Sequence, residues 1–127
     1  IVPAVNQVEA HPYFPNDDVR AYGRAHGIVT QAWSPLAQGS AVADATVMEV
    51  AARVAQTPSQ VILRWHIQRG DVVFPKTLSA ARMRENLGAF DFELTDGDME
   101  QLSALQRGEA GRLGPHPDTF DWIPGHG

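Results

Sequence analysis

Three short apolar runs, Val2 to Glu9, Ile28 to Ser34 and Asp71 to Phe74, alternate with stretches that carry helix caps and helical spacing. This alternation predicts parallel βα units, because a parallel neighbour is reached only by a crossover long enough to hold a helix. The runs are β-branched and nearly continuous in apolar character, as expected of strands covered on both faces. Three parallel strands alone would leave two unpaired edges, which folded proteins normally cover. The pattern therefore points to an α/β fold that is part of a larger barrel or sheet.

The helix signals are local and legible. Asn16 precedes Asp17 and Asp18 and is the expected cap of a helix reaching about Ala25, with Gly27 as its stop. Val47 to Val54 repeats at helical spacing. Thr57-Pro58 opens the next helix, whose inner face carries Val61, Ile62, Leu63 and Trp65 as far as Gly70. Ser79 caps a helix ending near Gly88. Thr95-Asp96-Gly97-Asp98 reads as a variant capping box before the stripe Met99, Leu102, Leu105. From Gly108 to Gly127 the chain becomes a Gly/Pro/His-rich tail anchored by Phe120, Trp122 and Ile123. No repeat or linker divides the chain, so residues 1–127 read as one unit with 108–127 as its tail.

Composition narrows the function. A net charge of −5 argues against nucleic acid, which a basic face normally meets. No apolar run approaches the ~20 residues that span a bilayer, and no secretory leader is expected from the start of the chain. The absence of cysteine excludes disulfides and thiolate chemistry, and suits the cytoplasm. The start Ile1-Val2-Pro3 reads as the middle of a longer sequence.

Against this acidic background, Val73-Phe74-Pro75-Lys76-Thr77 runs into a helix carrying Arg82, Glu85 and Asn86. Strand, corner and helix N-terminus in that order make a phosphate site, since free N–H groups and the helix dipole favour negative charge there. Lys76 and Arg82 would supply counter-charge, with Glu85 and Asn86 suited to an adenine edge. The competing reading is a solvated helix end whose ion pairs are worth ~0–1 kcal/mol. Polar residues also gather where the strands end: Asn6 and Gln7, then the small-residue loop Pro35 to Ser40. No metal site is expected. His11 lacks partners at ligand spacing, and Asp96-Gly97-Asp98 lacks the rest of a calcium loop.

Several segments resemble one family. Asn6-Gln7-Val8-Glu9-Ala10-His11-Pro12-Tyr13, Ala32-Trp33-Ser34-Pro35-Leu36, Gln60-Val61-Ile62-Leu63-Arg64-Trp65, Val73-Phe74-Pro75-Lys76-Thr77 and Asn86-Leu87-Gly88-Ala89-Phe90-Asp91-Phe92 resemble the aldo-keto reductases, in order and spacing. Trp33, where many relatives have tyrosine, makes the chain similar to the bacterial diketogluconate-reductase-like members. The resemblance implies a (β/α)8 TIM barrel that reduces small aldehydes or ketones with NADPH. The three strands would be its sixth to eighth.

By the same resemblance, Gln7 would hydrogen-bond the nicotinamide carboxamide and Trp33 would stack on the ring. Ser34, Leu36 and Gln38 would pass beside the pyrophosphate. Lys76, Thr77 and Arg82 would contact the 2′-phosphate, and Glu85 and Asn86 the adenine. The family's catalytic tyrosine, aspartate, lysine and histidine belong to earlier strands, so no catalytic residue is assigned. Neither Tyr13 nor Tyr22 stands in the catalytic context. The chain alone is expected to be inactive, its partner being the N-terminal part of the barrel. The alternative is a non-catalytic dinucleotide-binding fragment or one half of a split barrel.

Overall fold

The computed structural model describes residues 5–33, 35–73 and 79–114. In chain order these form β1 (Val5–Glu9), α1 (Asp17–Ala25), β2 (Val29–Trp33), α2 (Ala45–Val54), α3 (Pro58–Arg69), β3 (Val72–Val73), α4 (Ala80–Leu87) and α5 (Asp96–Ser103). Single 3-10 turns lie at Ala37–Gly39, Ala41–Ala43, Gly88–Phe90 and Gly108–Gly111. The strands are parallel in the order β1-β2-β3, as the alternation predicts. Register runs from Val5 opposite Val29 to Glu9 opposite Trp33, with Gln31 opposite Val72. β3 is described as Val72–Val73, and Phe74, the last residue of its apolar run, lies outside the described residues.

Side chains alternate along a strand, so Val5, Gln7 and Glu9 share a face with Val29, Gln31, Trp33 and Val72. Thr30 and Ala32 point the other way and are buried on the side of the helices. The first face is open: Val5 is 48%, Val29 44% and Val72 38% exposed. Cover on both faces therefore fails among the described residues, where helices close one side only. An open apolar face is what a partial barrel leaves when the wall opposite is absent.

The core lies between α2, α3 and α5, where Val47, Val50, Val61, Ile62, Trp65 and Leu102 are fully buried. Each such side chain contributes ~1.5–3 kcal/mol of burial. Trp65 also donates from Nε1 to Ser103 Oγ at 3.1 Å, so its one polar atom is satisfied. Met99 and Leu105 pack against this cluster, as their stripe predicts.

The caps at Thr57, Ser79 and Thr95 are made as expected, the first and last as full capping boxes with Gln60 and Asp98. Asn16 differs. It sits at the N-cap position in the left-handed region, φ 56°, with no side-chain bond to α1, and its Nδ2 donates instead to the Glu9 carbonyl at 3.1 Å. Asparagine tolerates that conformation, and Asp17 and Asp18 still favour the positive helix end. Here the asparagine ties helix to strand rather than capping.

Candidate functional site

The site is built at the carboxyl ends of the strands, where α/β sheets carry their ligands. Gln7 and Trp33 project from the same open face of adjacent strands. A lateral step of ~4.8 Å and two residues of rise put their Cα atoms roughly 8 Å apart. Trp33 is 36% exposed and Gln7 is exposed, so both are available to a ligand.

Next to them Glu9 is fully buried, with its carboxylate accepting from His11 Nε2 at 2.8 Å, Leu113 N at 2.6 Å and Gly114 N at 2.8 Å. Burial pushes the His11 imidazole below its usual range, with Glu9 pulling the other way. His11 is thus a neutral structural histidine, with Nε2–H on Glu9 and a buried Nδ1 that finds no hydrogen-bond partner among the described residues. A carboxylate in an apolar strand, two residues before a histidine, was the available signal for Glu9; sequence reading assigned it no role.

The loop after β2 is pinned from several sides. His66 Nε2 donates to the Pro35 carbonyl at 3.0 Å, and the Leu36 carbonyl accepts from Gly39 N at 3.0 Å. Leu36 itself is half-buried against the core. The Tyr13 hydroxyl donates to Asp44 at 2.7 Å; burial and that carboxylate push its pKa up to about 12. Gln38 lies in the 3-10 turn Ala37–Gly39, while Ser34 is outside the described residues.

The second group sits on α4, which follows β3. Arg82 is exposed in its first turn, and its N–H is capped by Ser79 Oγ at 3.3 Å. Glu85 and Asn86 lie three and four residues on, hence on the same face. Glu85 Oε1 accepts from the Thr57 hydroxyl at 2.7 Å and its carbonyl accepts from Gln60 Nε2 at 2.8 Å. One carboxylate oxygen of Glu85 is therefore committed to fixing α4 against α3. Lys76 and Thr77 lie outside the described residues.

Where the strands begin, Arg20, Arg69, His66 and Asp71 form a buried network that spacing did not reveal. Arg20 Nη2 donates to the Arg69 carbonyl at 2.7 Å, and Arg69 Nη2 to the Pro15 carbonyl at 2.8 Å. Burial, then the charge of Arg20, pushes the Arg69 guanidinium down to about 10. Among the described residues no cluster of three metal-ligating side chains occurs, and no helix is long and apolar enough to cross a membrane.

The pattern of the Aldo/keto reductase family matches residues 1–107. An aldo-keto reductase of Mycolicibacterium smegmatis is 46% identical over 122 residues, covering 96% of this chain and 44% of that protein. The 2,5-diketo-D-gluconic acid reductase B of a Corynebacterium species is 46% identical, over 95% of this chain and 43% of its own length. Among solved structures, a Gox0644 mutant in complex with NADPH aligns with a TM-score of 0.93 at 38% identity, over 96% of this chain and 45% of that one. The chain thus spans less than half the length of these relatives.

Proposed function

The chain belongs to the aldo/keto reductase family and is a partial piece of its barrel, and from that premise we propose that it supplies the NADPH-binding part of an enzyme reducing small aldehydes or ketones to alcohols. The observation that carries this reading is that Gln7, mid-strand in β1, and Trp33, at the end of β2, share one sheet face two register positions apart on adjacent strands. That spacing lets the Gln7 amide exchange hydrogen bonds with a carboxamide while the indole lies on the attached ring. When bound, the nicotinamide supplies the hydride, and the protein supplies orientation.

Trp33 would cover one face of a bound nicotinamide ring and leave the other to the substrate carbonyl. Ser34, Leu36 and Gln38 would contact the pyrophosphate. Arg82, exposed in the first turn of α4 where the helix dipole supports an anion, would hold the 2′-phosphate together with Lys76 and Thr77, which lie outside the described residues. Asn86 meets the adenine edge together with Glu85, whose free geometry is limited by Thr57.

No group in the chain is proposed as the proton donor. Tyr13 holds its proton tightly on Asp44, and Tyr22 stacks on His26 at 4.0 Å on the exposed side of α1. The tyrosine, aspartate, lysine and histidine of the family chemistry belong to the remainder of the barrel. The purified chain, given NADPH and a simple aldehyde, oxidises no cofactor; turnover by the chain alone contradicts this account of the missing acid. In the intact enzyme, absence of NADPH binding contradicts the reading as a whole.

A second reading, one half of a split barrel that associates without chemistry of its own, is supported by apolar surface at both flanks. Tyr22 and Val19 are exposed on α1, as are Met83 and Leu87 on α4 with Phe90 just beyond it. Co-expression with a complementary barrel portion distinguishes it: a stable complex without reductase activity favours the binding half, and an active one favours the enzyme.

A further inference from the structure

Glu9 is a fully buried carboxylate that accepts from the neighbouring His11 imidazole and from two backbone amides more than 100 residues away. Three donors converge on its two oxygens. Two of those donors, Leu113 N and Gly114 N, belong to the first part of the tail. That segment follows a defined track over the loop after β1. Arg107 N donates to the Tyr13 carbonyl at 2.8 Å, the Arg107 guanidinium lies 3.9 Å over the Tyr13 ring, and Arg112 lies 4.4 Å over Phe14.

Glycines mark the two closest approaches. A Cβ at Gly111 would overlap the Tyr13 carbonyl. A Cβ at Gly114 would overlap Cη2 of Trp33 and crowd Glu9 Oε1. Backbone thus meets the far end of the indole where Glu9 fixes it.

From this we infer that Glu9 is a positioning residue for Trp33: its carboxylate latches the Leu113–Gly114 backbone across the ends of β1 and β2, and the latched backbone buttresses the indole in its cofactor-facing pose. The cofactor-facing part rests on the proposed reading of Trp33; the latch itself rests on the contacts alone. Neither a packing role for Glu9 nor a passive tail requires the indole to respond when the carboxylate is neutralised.

The test compares the unaltered protein with Glu9→Gln and Gly114→Ala by amide hydrogen exchange and by the indole N–H resonances. In Glu9→Gln the Leu113 and Gly114 amides exchange at least tenfold faster. Ala10, whose N–H donates to the Trp33 carbonyl, keeps its protection and reports an intact sheet. The Trp33 resonance moves while that of buried Trp65 stays. Gly114→Ala, which leaves Glu9 in place, moves Trp33 as well, so the inference does not depend on one variant folding. Both variants weaken NADPH several-fold.

Unchanged protection of Leu113 and Gly114 in Glu9→Gln overturns the latch. So does an unmoved Trp33 resonance in Gly114→Ala. If NADPH added to the unaltered protein leaves Trp33 unmoved, the cofactor role fails on its own, and the exchange data still decide the latch.

Discussion

The Arg20 guanidinium donates from Nε to the Asp71 carboxylate at 2.7 Å across 51 positions of sequence, with 8% of one side chain and 1% of the other exposed. This pair joins α1 to the start of β3 and holds the outer layer against the sheet.

Breaking that pair from one side leaves a buried charge without its partner. Arg20→Ala is expected to cost ~3–5 kcal/mol, and Asp71→Ala a comparable amount. The double variant costs less than the sum, since the two groups share one interaction. Urea denaturation of the four proteins measures this; a loss below ~1 kcal/mol for either single change contradicts the role given to the pair.

Gln60 is the joint between α3 and α4. Its Oε1 accepts from Thr57 N at 3.0 Å while its Nε2 donates to the Glu85 carbonyl at 2.8 Å. A Cβ on Gly88 would overlap Gln60 Nε2. Gly88→Ala therefore pushes the amide out of its bond and loosens α4, the element that carries Arg82. Gln60 is flexible and alanine suits the helical φ of −61° at this position, so the net stability change stays below about 1 kcal/mol; the expected readout is faster amide exchange along α4 and unchanged exchange in the β1–β2 ladder. Equal acceleration in both places means general destabilisation and removes the special role of Gln60.

Acid weakens the fold through His11. Burial holds its imidazole below the ordinary value near 6.5, so between that lowered value and 6.5 the unfolded chain binds more protons than the folded one. Stability from this group is complete above about pH 6.5 and declines as pH falls toward the folded value. Asp71 adds to the decline at lower pH: burial raises its carboxyl, but the hydrogen bonds and charges of His66, Arg20 and Arg69 carry it below normal. The urea midpoint is expected to drop as pH falls from about 6.5 to 5, and His11→Gln flattens the upper part of that drop. A profile unaltered by His11→Gln contradicts this assignment.

Much of the fold was legible because its signals are local. Thr57-Pro58 with Gln60, Ser79, and Thr95 with Asp98 each announce a helix start through one residue's own hydrogen bond. Trp65 and Leu102 announce the core through helical spacing. Asn16 failed as a cap because it takes a left-handed backbone conformation and turns its side-chain amide to the Glu9 carbonyl, seven residues back in β1. The Arg20–Asp71 pair and the Glu9 latch were invisible for a related reason: their partners are set by topology, 51 and more than 100 residues away. Near-continuous apolar strands suggested two covered faces, but composition cannot say whether the chain that covers the second face is present.

Arg82, in the first turn of α4, is proposed to grip the extra phosphate of NADPH. The most direct measurement is the ratio of NADH to NADPH dissociation constants in the intact enzyme and in its Arg82→Ala variant. Two charge-assisted contacts, at ~1.5–3 kcal/mol each before coupling losses, favour NADPH by roughly 30- to 1000-fold. In Arg82→Ala that ratio falls at least tenfold, with NADH affinity almost unchanged. If both cofactors weaken equally, or the ratio stays where it was, Arg82 does not read the phosphate and the account of this corner is wrong.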